Sequence, residues 1–342
     1  MCEKRQKKRP LFVFAGQSNM MGAAVYPPTE KLDIGDSYEY KHKPRRFGAK
    51  HGDFTLANFD CGEFSYYDLS AAYPDGKEGK STLNHYWNNT YFCPAMCNLR
   101  SDEEKSVTPF VDFSESDYVP GPSTPPYFAA EWEKLGNKCA YIHVAKGAAP
   151  ITHFLIDHDP SDPKAFAAAD YFRAKVRDFF ADASEKFKDE DTSDRVFVWL
   201  QGESDVSLSR ESYESKLCEL YDEVFALGCN YFFIIRVGYW GDERIRNIIR
   251  AQEDFCRTRE NAYIITRACS FMPFFGQDES KWFISPPSEE YRECRDSFFG
   301  FPNQHVNAKG HALIAKRLAQ NAERVLNENL PPEIEEENVK GI

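Results

Sequence analysis

The amino-acid sequence predicts a three-layer α/β/α sandwich built on a parallel sheet. Two observations carry this: five short apolar runs recur along the chain, and helical patterns lie between them. Runs that are apolar at nearly every position suit strands covered on both faces, as in a parallel sheet. A repeated strand–helix order then implies right-handed crossovers. The expected strands are Leu11–Ala15, Cys139–Val144, Arg195–Leu200, Tyr231–Ile235 and Ala262–Thr266. A helix is expected over Lys164–Lys188, where Ala169, Phe172, Val176, Phe179, Ala183 and Phe187 recur every three or four residues. Further helices are expected over Phe128–Leu135, Ser209–Ala226, Glu243–Arg257 and Ala308–Leu326. Active sites in such sheets lie beyond the carboxyl ends of the strands.

The alternation covers residues 1–330 as a single domain, interrupted twice. An insertion at about 26–126 is polar, aromatic and rich in Pro, Gly, Asp and Ser, and a shorter one spans about 271–302. A hundred residues is too long for a plain connection. Aromatics such as Phe59, Tyr66, Tyr86 and Trp87 favour an ordered insertion over a disordered one, since disordered chains are poor in them. The tail 331–342, with Glu333, Glu335, Glu336 and Glu337, reads as a solvated, frayed end.

Composition narrows the function. The chain has 342 residues and a net charge of −12, a poor basis for displacing counterions from nucleic acid. No apolar run approaches the roughly 20 residues of a membrane span, and the basic N-terminus is not followed by an export-signal core. The ten cysteines include no CxxC pair. Free thiols in a reducing cytoplasm are the expectation. His153–Asp159 reads as a loop rather than a metal-ligand set, no phosphate-binding glycine pattern is present, and no metal or cofactor is expected. Aromatic residues reach 15%, which either a thick core or a sugar-stacking surface explains.

Three segments carry candidate chemistry. In Phe14-Ala15-Gly16-Gln17-Ser18-Asn19-Met20-Met21-Gly22 a buried strand ends and a serine follows at once. A tight strand-to-helix turn exposes a hydroxyl and aims backbone N–H groups at a developing oxyanion. The same serine also suits a helix N-cap. In Val198-Trp199-Leu200-Gln201-Gly202-Glu203-Ser204-Asp205 a second buried strand runs into four hydrogen-bonding side chains, which are costly unless they serve a polar site. Ser204 or Asp205 also suits a cap of the next helix. His305, just before the last helix, is a candidate general base or a surface residue; His311 is its rival.

Together these segments resemble the SGNH hydrolases, and within them the sialate O-acetylesterase-like branch that includes carbohydrate esterase family 6. Gln17-Ser18-Asn19-Met20 after the first strand, Trp199-Leu200-Gln201-Gly202-Glu203 after a middle strand and a late histidine carry the resemblance, with Arg250-Ala251-Gln252 as an echo. It covers the α/β core and neither insertion. It implies a flavodoxin-like sheet and no cofactor. Ser18 matches the nucleophile and His305 the base. The N–H groups of Ser18 and Gly147 and the amide of Gln201 match oxyanion donors, with Glu203, Asp205 and Asn303 in support.

The sequence departs from that pattern in two places. Pro302 stands three residues before His305, where the family writes an aspartate. Three substitutes are open: a backbone carbonyl, an acid such as Asp296, Glu203 or Asp205, or Asn303 as a neutral orienter. Gly147-Ala148-Ala149-Pro150 replaces a Gly-Gly-Thr-Ser stretch. The implied activity is deacetylation of a carbohydrate ester: a xylo- or manno-oligosaccharide or a sialic-acid-like sugar. A lipase or thioesterase of the same superfamily and a catalytically weakened sugar-binding protein are the alternatives. Arg236 and Trp240, after the fourth strand, are expected to line the substrate pocket.

Overall fold

The computed structural model describes residues 8–21, 36–41, 53–56, 123–145, 149–158, 171–239, 243–271, 299–300, 305–306, 308–339 and 341–342. The elements run β1 (Leu11–Gly16), α1 (Ser18–Met21), β2 (Tyr38–Lys41), β3 (Asp53–Leu56), α2 (Thr124–Lys134), β4 (Ala140–His143), α3 (Tyr171–Lys186), β5 (Arg195–Leu200), α4 (Arg210–Ala226), β6 (Tyr231–Ile235), α5 (Ile245–Thr258), β7 (Ala262–Thr266), α6 (Ala268–Phe271), β8 (Phe299–Gly300), β9 (His305–Val306) and α7 (Ala308–Leu326).

Seven strands form one sheet in the order β3-β2-β4-β1-β5-β6-β7. All its pairings are parallel except β2 with β3 at one edge. The expected parallel α/β sandwich is therefore present, and the first insertion adds β2 and β3 to its edge. Without those two strands the order is second-first-third-fourth-fifth, the flavodoxin-like arrangement, whose switch point lies beside the first strand.

Register explains the two covered faces. Val13 pairs with Phe197, and Phe197 with Phe232, so these three point to one side. There Phe197 meets Phe172 of α3, and Phe232 meets Tyr221 of α4 and Phe255 of α5. Phe12 and Phe14 point to the other side and pack edge-on against Phe128 of α2, at 4.7 and 5.4 Å between ring centres. Both faces thus use aromatic rings as core, which accounts for a share of the 15%.

The chain beyond α7 is not frayed, contrary to the sequence-based expectation. Glu333 N–H donates to Asn321 on α7 at 2.7 Å. Glu335 accepts from the Thr266 hydroxyl and the Arg267 N–H at the end of β7, and Glu337 pairs with Arg236 just past β6. Asn338 donates to the Ser270 carbonyl in α6 at 3.0 Å. Glu335 and Glu337 meet cations distant in sequence, Arg317 and Arg236. No described helix is long and apolar enough to cross a membrane.

Candidate active site

Strands β1 and β5 run side by side to their carboxyl ends, with Gly16 opposite Leu200. Gly16 has φ +149°, and a Cβ there would sit 2.0 Å from the Leu200 carbonyl oxygen. Only glycine lets the two strand ends approach this closely. Gln17 N–H then donates to Leu200 O at 3.1 Å, and the chain turns into the four-residue α1 with Ser18 at its start. His143 of β4 fixes that helix by donating from Nε2 to the Met20 carbonyl at 3.0 Å. Ser18 is partly exposed while its neighbours Gln17 and Asn19 are buried.

The turn after β5 is built in the same way. Gly202 has φ +150°, and a Cβ would meet Ile248 of α5 at 2.5 Å. Gln17 reaches across from the first turn: its Oε1 accepts from the N–H groups of Ser204 at 3.1 Å and Gly202 at 3.4 Å. Asn19 reaches across as well, donating from Nδ2 to Glu203 Oε1 at 2.7 Å. Its Oδ1 accepts from the Val306 N–H at 3.0 Å. The three segments singled out in the sequence are therefore joined at the switch point, by the two amides that flank Ser18.

Both carboxyl groups of this turn carry pKa values above their ordinary range. For Glu203 the main cause is burial, opposed by the hydrogen bond from Asn19 and reinforced by the charge of Asp205. Its Oε2 is buried with no hydrogen-bond partner among the described residues. For Asp205 burial again dominates, opposed by hydrogen bonds from Gln201 and the Ile151 N–H. No ion pair among the described residues reaches either group.

Gln201 has a different role from the expected one. Its Nε2 donates to Ala149 O at 3.0 Å and to Asp205, and its Oε1 lies 2.9 Å from the Tyr213 hydroxyl. An amide has two N–H groups. Both are spent within the protein, so Gln201 has none left for an oxyanion and braces the turn instead. Gln252 completes this brace, donating to Gln201 O at 2.8 Å and accepting from Val237 N–H at 3.1 Å.

Arg236 is also corrected. It is fully buried, and its guanidinium binds Glu253 at 2.7 Å, Ser270 at 3.0 Å and Glu337. Its charge is consumed by these partners, so it does not face a substrate. The cap of α4 is Ser209, which accepts from Ser212 N–H, rather than Ser204 or Asp205. His311 is buried in α7 with Nδ1 2.9 Å from the Thr124 hydroxyl, a helix–helix contact.

His305 is described as backbone only, in β9 opposite Gly300. Gly147, Trp240, Asp296, Pro302 and Asn303 lie outside the described residues. Among the described residues no group of three or more His, Cys, Asp or Glu could hold a metal ion. Sequence reasoning overlooked the bridging roles of Gln17, Asn19, Tyr213 and Gln252. One signal was legible for Gln252: a lone amide on the apolar stripe Ile245, Ile248, Ile249 and Phe255.

No family model and no curated protein matches the chain. The chain is similar to several solved structures. NanS aligns with a TM-score of 0.50 at 12% identity, covering 94% of this chain and 99% of that one. A protein from Arabidopsis thaliana aligns at 0.47 and 13% identity, covering 92% and 97%. A carbohydrate acetylesterase from Xanthomonas citri aligns at 0.45 and 10% identity, over 93% of this chain but only 56% of that enzyme's length. The likeness to NanS is one of fold.

Proposed function

We propose that the chain is a serine esterase that removes O-acetyl groups from an acetylated carbohydrate, a xylo- or manno-oligosaccharide or a sialic-acid-like sugar. The supporting observation is the convergence at one strand-end: Gln17 and Asn19 bind the turn Gly202–Ser204 and Val306 from either side of Ser18. Ser18 attacks the ester carbonyl while His305 takes its proton. The backbone N–H groups of Ser18 and Gly147 hold the tetrahedral oxyanion. His305 returns the proton to the leaving sugar hydroxyl, leaving acetyl-Ser18. Water, deprotonated by His305, then attacks the acyl group, and acetate and free Ser18 follow.

In this reading Glu203 replaces the acid missing at Pro302. Two facts support it: its Oε2 has no partner among the described residues, and its other oxygen is one amide away from the strand that carries His305. Asp205 supports through Gln201, Asn303 supports beside His305, and Trp240 is assigned to the substrate pocket. The carbohydrate assignment rests on the motif resemblance and on the aromatic and amide side chains of residues 26–126. Ser18→Ala is expected to lower kcat/KM for 4-nitrophenyl acetate by roughly 10³-fold or more. Equal rates in variant and wild type would refute the reading. A preference for the octanoate over the acetate ester would remove the sugar assignment.

A further inference from the structure

Asn19 is 2% exposed and sits between three elements that are far apart in the chain. A backbone N–H needs an acceptor and a carboxylate needs a donor, so the orientation of its amide is fixed. Oδ1 faces the Val306 N–H and Nδ2 faces Glu203. We propose that Asn19 is a positioning residue, whose single amide sets the Glu203 turn and the His305 strand in register with the Ser18 turn. The proposal deepens the esterase reading and rests on it for its catalytic consequence.

The Glu203 turn is also held by Gln17 at the backbone N–H groups of Gly202 and Ser204, and Val306 is also buried in the core, but Asn19 is the residue that ties the two to each other. Strand β9 has two residues and, among the described residues, pairs with the two of β8. Hairpins of that length are marginal by themselves, so the side-chain bond from the nucleophile turn to the Val306 N–H adds to core burial in fixing the strand that carries His305. Glu203 is faced by Asp205 from its own turn, by Tyr213 from α4 and by Cys269 from α6. None of these is a cation. Asn19 therefore supplies the chief side-chain donor to a carboxylate that burial disfavours. One amide can do both jobs only because its acceptor and donor point in different directions. Aspartate at this position could keep the Val306 bond and would set a second carboxylate against Glu203.

The test uses the full-length chain with Asn19→Ala and Asn19→Asp. In steady-state hydrolysis of 4-nitrophenyl acetate, Asn19→Ala is expected to lower kcat by roughly 10²-fold with KM nearly constant, as misplaced reacting groups do. The acid limb of its kcat/KM profile should move to higher pH, because Glu203 has lost a donor that favours its ionised form. Amide exchange at Val306 should quicken in Asn19→Ala and stay protected in Asn19→Asp. A thermal-melt cycle of wild type, Asn19→Ala, Glu203→Gln and the double variant at pH 8 adds a readout independent of activity. Glu203→Gln should raise the melting temperature more in the Asn19→Ala background than in wild type. Additive melts with unchanged Val306 exchange would overturn the bridge. An unmoved acid limb and unchanged kcat in a protein whose Ser18→Ala is dead would overturn its catalytic role. If the wild type hydrolyses no acetate ester, the esterase reading falls alone, and the melts and exchange still decide the bridge.

Discussion

The turns after β5 and β6 both bury charged or hydrogen-bonding side chains at a strand end, and they settle the cost in opposite ways. After β6, Arg236 pairs with Glu253 and Glu337, and Arg267, just past β7, shares both carboxylates in one network of ion pairs. Burial works to raise Glu253 and Glu337, but the arginine bonds and charges outweigh it and both carboxyls fall below their ordinary range. After β5, Glu203 and Asp205 have amides for partners and no ion pair among the described residues; burial leaves both raised, although the charge of Lys216 works to lower Asp205. A buried acid with its own cation holds the fold together. A buried acid left with amides and an open oxygen is poised to answer a charge that forms during a reaction. The contrast separates Arg236, which looks functional in the sequence, from Glu203, which looks secondary there.

The largest effect tests what the β5 side stands on. Gly16→Ala drives a methyl group into the Leu200 carbonyl, 2.0 Å from where Cβ must lie. It is expected to cost more than the roughly 4–5 kcal/mol that marks an exceptional substitution, read as loss of a cooperative thermal transition. Next, Arg236→Met strips the β6 network of its buried cation and leaves Glu337, among the described residues, with Arg267 at 3.7 Å. Breaking a buried pair in this way costs about 3–5 kcal/mol. Denaturant melts should show that loss, while kcat per folded molecule stays near wild type.

The finest test is one of sign. Glu337 has a lowered pKa, so its stabilising contribution is complete above the ordinary value of 4.5 and is lost as pH falls through its folded value. Glu337→Gln should therefore melt below wild type at pH 7, with the gap closing in acid. Glu203 has a raised pKa, so its contribution is present below 4.5 and lost as pH rises through its folded value. Glu203→Gln should melt above wild type at pH 8, by roughly 2–4 °C for each kcal/mol relieved, and this gap too should close in acid. The same substitution should lower kcat by up to about 10⁴-fold, the loss that follows when the acid orienting a catalytic histidine becomes an amide. Gaps of the same sign at neutral pH would dissolve the comparison.

Much of this was legible because it is periodic or local. The limits of β5, β6, β7 and α7 follow from apolar runs and three-to-four spacing. The strand-end positions of Ser18 and Glu203 follow from where those runs stop. The remainder depends on partners that no local pattern names. Arg236 follows an apolar strand just as a pocket residue would, and its anions lie 17 and 101 residues away. Gln201 looked free because Ala149 and Asp205 could not be foreseen as its acceptors. The acidic tail read as solvated by charge density alone. Its spacing held a clue, since Glu333, Glu335 and Glu337 alternate and would share one side of an extended segment.

The Asn19 bridge also bears on when the site comes into being. Its two bonds span 184 and 287 residues of chain. Contacts of such separation pay their loop-closure entropy before they return anything, and they form late in folding. Ser18 emerges early from synthesis as an ordinary hydroxyl. On the esterase reading proposed above, it gains its acid only when β5 has docked and its base only when the last helix is in place, so a partly made chain would hold no competent site.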